Sequence, residues 1–272
     1  ADYTTSVEVF LPVGKGIQGA TSHHLGQNFA KAFEIKFANA EEKEEFAYQN
    51  SWGMTTRTIG TMILMHGDNK GLVLPPRIAP IQVVIVPIIF EKEKETILRK
   101  CEKIKKDLGR KFSVLFDNRE GYTPGWKFNE WEMKGVPIRI EMGPRDLTEK
   151  KAVLVRRDTG EKKSVALAAI TGEVKKLLEI IQHDLFNKAK NFLETSIIKI
   201  ISVQELESAA KNKKLASASW CGEAKCEEEI KFKSGGAKSL NIPLEQPKLK
   251  AGEKCFACGE KAKYYAYFGK SY

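Results

Sequence analysis

The sequence predicts a multidomain chain that joins α/β and α+β units, and three observations carry that prediction. Its 272 residues exceed the roughly 100–200 of one ordinary domain. Between residues 81 and 186, apolar runs alternate with helical spacing, the mark of an α/β unit. After about residue 200, two close cysteine pairs stand among lysines with few long apolar runs, as in a small α+β unit steadied by a metal. The boundaries expected are 1–80, 81–186 and 187–272.

The elements follow in order. "ADYTTSVEVF" opens in strand-like alternation, without Met, basic leader or apolar signal core, so residues upstream are expected. In "QGATSHHLGQNF", Ser22 is a candidate N-cap, and Leu25, Phe29 and Phe33 recur every four residues beside Ala32. That spacing predicts a helix from Ser22 with His23 and His24 in its first turn and no carboxylate near them. The acidic "ANAEEKEE" leads to a short strand, "FAYQNSW", then Gly53 and a helix from about Thr55 to His66. Gly71 to Leu74 reads as a strand stopped by Pro75 and Pro76, which cannot donate to a ladder.

"IQVVIVPI" has the unbroken apolar character of a strand buried on both faces. Ile97, Leu98, Cys101, Ile104 and Leu108 line one helix face, which makes Cys101 a core thiol. "FSVLF" is a further strand, followed by a loop with Gly and Pro. In "GVPIRIEMG", Val136, Ile138, Ile140 and Met142 alternate with Pro137, Arg139 and Glu141, one face apolar and the other charged. "KAVLVRRD", a turn at Thr159-Gly160 and "KKSVAL" predict a hairpin. A long amphipathic helix starts at Thr171 and runs through Val174, Leu177, Leu178, Ile181 and Leu185.

The net charge of +10 is uneven. Residues 1–80 hold seven basic and eight acidic side chains, residues 81–186 hold 22 and 17, and residues 187–272 hold 16 and 10. The excess lies in the later two-thirds, where a polyanion would bind; the plain alternative is solvated helix faces. No run of about 18 apolar residues exists, so no membrane helix is expected and the chain reads as soluble and cytoplasmic. Cys221 and Cys226 are spaced C-x4-C, and Cys255 and Cys258 C-x2-C. In an intracellular chain such pairs favour metal over disulfides, and four thiolates match a closed, tetrahedral structural zinc site.

Three longer segments carry a family resemblance. "QGATSHHLGQNFAKAFEIKF", "YQNSWGMTTRTIGTMILMHGDNKGLVLPPRIAP" and the terminal "YYAYFGKSY" resemble prolyl-tRNA synthetases of the archaeal and eukaryotic cytoplasmic type. The resemblance implies the end of a class II antiparallel-sheet catalytic domain, an α/β anticodon-binding domain and a C-terminal zinc domain. "GDNKGLVLPPR" resembles the third class II motif, with the first two expected upstream. It also implies activation of L-proline by ATP with Mg2+, transfer to tRNA(Pro), and a homodimer formed through the catalytic domain. Gln18, Thr21, Thr55, Arg57 and Arg77 match ATP contacts, Arg77 by a planar fork suited to phosphate. His23, Trp52 and Gly53 match the surroundings of proline, His23 alternatively the tRNA acceptor end, with His24 supporting the helix start. Such phosphoryl chemistry runs on positioning and charge, so no side chain is expected as an acid-base catalyst. Lys127, Glu132, Arg139 and Arg145 match the anticodon-reading region, although Arg139 and Glu141 could equally pair with each other. Tyr272 matches a chain end that tucks toward the body of the protein. The competing reading is a noncatalytic, zinc-bearing tRNA-binding module on a class II scaffold.

Overall fold

The paired histidines lie on a strand. Residues Lys15–Gly26 form β2, not the helix expected from Ser22. β2 is antiparallel to β1 (Tyr3–Phe10) and, on its other edge, to β5 (Gln49–Met54). Two distant partners supply ladder bonds that override the local four-residue spacing. Only past Gly26 does a short helix, α1 (Asn28–Ala32), begin, and Phe29 and Phe33 stack on each other in solvent. The computed structural model describes the backbone of residues 1–272 and every side chain but that of Glu91. Residues 1–65 with 192–272 make one compact unit, and residues 66–191 make the other.

In the first unit, β3 (Lys36–Ala38) and β4 (Glu44–Phe46) form a hairpin around the acidic loop, and α2 (Arg57–His66) follows β5 where a helix was expected. The strand expected over residues 71–74 is absent. Asp68 and Gly71 make one bridge, and the Leu72 and Leu74 amides donate to the Met133 and Gly135 carbonyls. Gly71, at φ 127, lies outside the β region, and the two prolines deny the ladder further donors.

The second unit is built on β6 (Val83–Pro87), buried along its whole length as its apolar run predicts. It is parallel to β7 (Val114–Phe116) and to β8 (Ile138–Met142), and β9 (Lys151–Arg156) and β10 (Lys162–Ala166) add the predicted hairpin, giving the order β10-β9-β8-β6-β7. Helices α3 (Lys94–Gly109) and α6 (Ile170–Ser196) share one core with Val83, Ile85, Ile138 and Ile140. Cys101 sits in that core, and burial pushes its thiol up to about 12. On the other sheet face, α4 (Pro124–Met133) buries Trp131 against Val84, Val86 and Val136. Residues 124–133, expected as loop, are helical. Thr123 caps the helix and Pro124 opens it, a start signal carried by polar and aromatic residues rather than by an apolar stripe. A short helix, α5 (Pro144–Thr148), follows β8.

The remaining elements belong to the first unit: β11 (Ile197–Lys199), α7 (Val203–Lys211), β12 (Leu215–Trp220), α8 (Ala224–Lys233), β13 (Lys238–Asn241) and β14 (Tyr264–Ser271). Leu206, Trp220, Ile230 and Phe268 make their core together with three of the cysteines. β14 lies inside the sheet, antiparallel to β12 and β13 and parallel to β2 through Lys270–Lys15 and Ser271–Gly16. The Tyr272 amide donates to the Gly16 carbonyl, and Lys15 stands 4.5 Å from the tyrosine ring centroid. Among the described residues no helix is long and apolar enough to cross a membrane.

Candidate functional site

The four predicted cysteines converge. Cys221 follows the end of β12, Cys226 lies in the first turn of α8, and Cys255 and Cys258 occupy the turn before β14. Their sulfurs all lie within 4.8 Å of one another, with Cys226–Cys255 and Cys221–Cys258 at 3.7 Å. Four sulfurs bound at the usual zinc distance of about 2.3 Å stand about 3.8 Å apart at the corners of a tetrahedron, so this donor set fits that ion. Burial pushes the Cys221 and Cys226 thiols up. Burial also raises Cys255, but the backbone amides of Cys258 and Ala257 outweigh it and hold that thiol below its ordinary value. Gly259, at φ 77, lets the chain turn back so that its amide reaches the Cys255 carbonyl at 3.0 Å.

A second constellation lies on the second unit. Lys70, Trp131, Glu132, Arg139, Arg157 and Lys162 line a cavity of about 210 Å³. That is smaller than the roughly 300–1,000 Å³ of a drug-sized site and suits a group the size of one base. Lys70 Nζ lies 2.9 Å from Glu132 Oε1, while Arg139 donates to Glu141 Oε1 at 2.8 and 3.0 Å and lies over the Phe128 ring. Arg139 thus pairs with Glu141, largely buried rather than on the surface, and it also lines the cavity. Arg157 grips the Asp68 carboxylate at 2.7 and 2.8 Å and donates to the Glu132 carbonyl at 2.6 Å, fixing the floor. Hydrogen bonding to Arg157 outweighs the opposing desolvation and pulls the Asp68 carboxyl down to about 2. A carboxylate acceptor beside several cationic donors and an indole wall can read a base edge.

Of the four sequence candidates, Glu132 and Arg139 line this cavity, and Lys127 and Arg145 do not. Lys127 is buried, and its ammonium donates to the Asp117 and Arg119 carbonyls at 3.2 and 2.6 Å. It braces a loop rather than offering charge to a phosphate, because it sits on the inward face of an unanticipated helix. Arg145 is exposed on α5. Lys70, Arg157 and Lys162 were not singled out from the sequence. The paired arginines of "VRRD" before a turn were the available signal.

The candidates on β2 share a face through a bulge. The register slips between Val7 and Glu8, leaving Gly19 as the extra residue, and this puts Gln18 on the side of Thr21 and His23. Thr21 pairs across to Gly53 and His23 to Ser51, whereas Trp52 pairs with Ser22 and so belongs to the opposite face. Trp52 is 79% exposed. His23 Nδ1 is 2.8 Å from Thr4 Oγ1; His24 stacks on Tyr3, with Nδ1 3.4 Å from Asp2. The histidine pair therefore has a carboxylate neighbour after all, brought in by β1. Thr55 Oγ1 accepts from the Arg57 amide at the start of α2. Arg77 is exposed in the second unit, where its amide donates to Gln182.

Residues 82–177 match a family model described as an anticodon binding domain, and residues 203–272 match one described as prolyl-tRNA synthetase, C-terminal. Two such domains in one chain define a portion of an aminoacyl-tRNA synthetase. The chain is 46% identical over 277 residues to the cytoplasmic proline-tRNA ligase of Arabidopsis thaliana, covering 99% of this chain and 52% of that protein. It is 44% identical over 257 residues to the proline-tRNA ligase of Natranaerobius thermophilus, covering 94% and 52%. With the bifunctional glutamate/proline-tRNA ligase of Mus musculus it shares 44% over 293 residues, 100% of this chain and 19% of that protein. The chain belongs to the prolyl-tRNA synthetase family, as a C-terminal portion of it. It spans about half the length of the Arabidopsis and Natranaerobius relatives.

Proposed function

We propose that the chain serves an ATP-dependent proline-tRNA ligase of the cytoplasm, reading tRNA(Pro) with residues 81–186. The observation that carries this reading is the cavity of Glu132, Arg139, Lys70 and Lys162, which lies on the unit that contains the residues matched as anticodon-binding. Residues 1–80 are assigned to the end of a class II catalytic domain that dimerises, and residues 187–272 to a domain held by structural zinc.

The ligase reaction has two steps. The proline carboxylate attacks the ATP α-phosphate and expels pyrophosphate; a terminal ribose hydroxyl of the tRNA then takes the prolyl group from the adenylate. Gln18, Thr21, Thr55 and Arg57 are assigned to ATP, and Arg77 to its phosphate tail, where a guanidinium fork matches phosphate oxygens. His23, neutral and hydrogen-bonding, and Gly53 are assigned to proline on the face that Gln18 and Thr21 share. Trp52, also proposed for proline, is opposed by its register on the other face. Mg2+ neutralises phosphate charge in such reactions. Cys221, Cys226, Cys255 and Cys258 would hold zinc with no position left for water, so the metal supplies cross-linking rather than chemistry.

The test is binding of this chain to a tRNA(Pro) transcript at fixed salt. An anticodon-substituted transcript should bind at least tenfold more weakly, since each lost bidentate base contact is worth about 1–3 kcal/mol. Equal affinity for both transcripts would refute the reading role.

A further inference from the structure

We propose that Tyr122 and Trp126 form a stacking platform for one unpaired base of an RNA loop, beside the cavity that reads its neighbour. This rests on the anticodon reading above and adds residues that reading does not use. The two ring centroids are 4.2 Å apart with planes inclined by 25°. The residues remain 47% and 45% exposed. A lone exposed aromatic needs no explanation, but a stacked pair beside an anchored guanidinium does.

The support joins a half-exposed guanidinium, that of Arg119, to the buried Asp117 and Lys127 behind it. The Arg119 guanidinium lies 5.2 Å from the Tyr122 ring centroid and 5.5 Å from that of Trp126. Asp117 holds this guanidinium through Nε at 2.9 Å and Nη2 at 2.7 Å, and Glu130 takes a further bond from Nη2. Behind it, the buried Lys127 ammonium ties down the Asp117 and Arg119 carbonyls. The Trp126 amide donates to the capping Thr123 hydroxyl in the first turn of α4. Both rings are thus held before any partner arrives, so little side-chain freedom is lost on binding.

The surroundings favour RNA over a protein partner. Every base has a π-face that stacks on an aromatic ring, and a guanidinium beside the rings suits an anionic strand. Trp131 links platform and cavity: Arg119 lies 5.8 Å and Lys134 Nζ 4.6 Å from its ring centroid, and the same indole lines the cavity with Glu132 and Arg139. A base in the cavity and the next base on the platform would share that wall.

The experiment measures affinity of the full chain for a tRNA(Pro) transcript and for transcripts made abasic at one loop position at a time. Tyr122→Ala and Trp126→Ala should each weaken binding by roughly 5- to 150-fold, with Trp126→Phe retaining most of the affinity. The slope of log affinity against log salt should not change, because no phosphate contact is removed. At one abasic position, wild type and Trp126→Ala should bind equally. Unchanged affinity in both alanine variants, with Arg139→Ala weakened, would overturn the platform and leave the cavity standing. The rings would then fall to a protein partner. If Arg139→Ala also binds as wild type, or the wild type does not bind, the anticodon reading fails with it. Loss of affinity with no abasic coupling would make the rings structural and overturn the platform.

Discussion

Replacing Asp117 with Ala should destabilise the second unit by about 3–5 kcal/mol, the usual cost of leaving a buried charge without its partner. The magnitude follows from what the carboxylate holds. Its side chain is fully buried, and it accepts two bonds from the Arg119 guanidinium, one from the Arg119 amide and one from Trp131 Nε1 at 2.8 Å. The Lys127 ammonium, 4% exposed, lies 3.6 Å away. Burial opposes ionisation of Asp117, yet the bonds from Arg119 and Trp131 hold its carboxyl well below the usual range. Without it, Lys127 keeps only two carbonyls, and the indole N–H loses its acceptor. Hydrogen exchange at the β6 and β7 amides reads this directly, with rates rising by roughly two to four orders of magnitude. The double variant Asp117→Ala with Lys127→Met should recover part of the loss, because the orphan charge leaves with its partner. A single-variant cost under about 1 kcal/mol, the range of an exposed pair, would refute the claim that this cluster is an internal support.

If the four cysteines hold zinc as proposed, Cys226→Ser should lower the zinc content of the chain and speed exchange at β12 and β14, since a buried ligand is lost; undiminished zinc would refute the assignment. Asp68 gives a pH prediction. Its carboxyl is depressed from 3.8 to about 2 in the fold, so its stabilisation is complete above the unfolded value and is lost as pH falls toward 2. The stability of wild type should fall over that window, and Asp68→Asn should remove that part of the pH dependence; an identical profile in the variant would refute it.

Much of the second unit could be read along the chain because its signals are local. The apolar run of β6, the one-sided face of α3 and the Thr159-Gly160 hairpin each need only near neighbours to be recognised. β2 was misread as helix because its strand character comes from β1 and β5, which its own residues do not reveal. The same non-locality hid the bulge at Gly19 and the Asp2 carboxylate beside His24. The thiolate cluster was legible because spacing and thiol chemistry alone restrict its use. The residues around the cavity of the second unit are less so: α4 turns Lys127 inward, and Arg157 and Lys70 owe their place to segments brought together by folding.

The position of β14 constrains the order of assembly during synthesis. Residues 15–16 wait for residues 270–271, and residues 66–191 emerge between them. The middle unit, whose strands and helices are all contained within that interval, can close while the chain is still growing. The outer unit leaves the start of β2, at Lys15 and Gly16, without this partner until β14 is made, whereas β5 already pairs residues 20–26. Over that interval those two positions are open to wrong partners, and deleting Lys270 and Ser271 from β14 would leave them so.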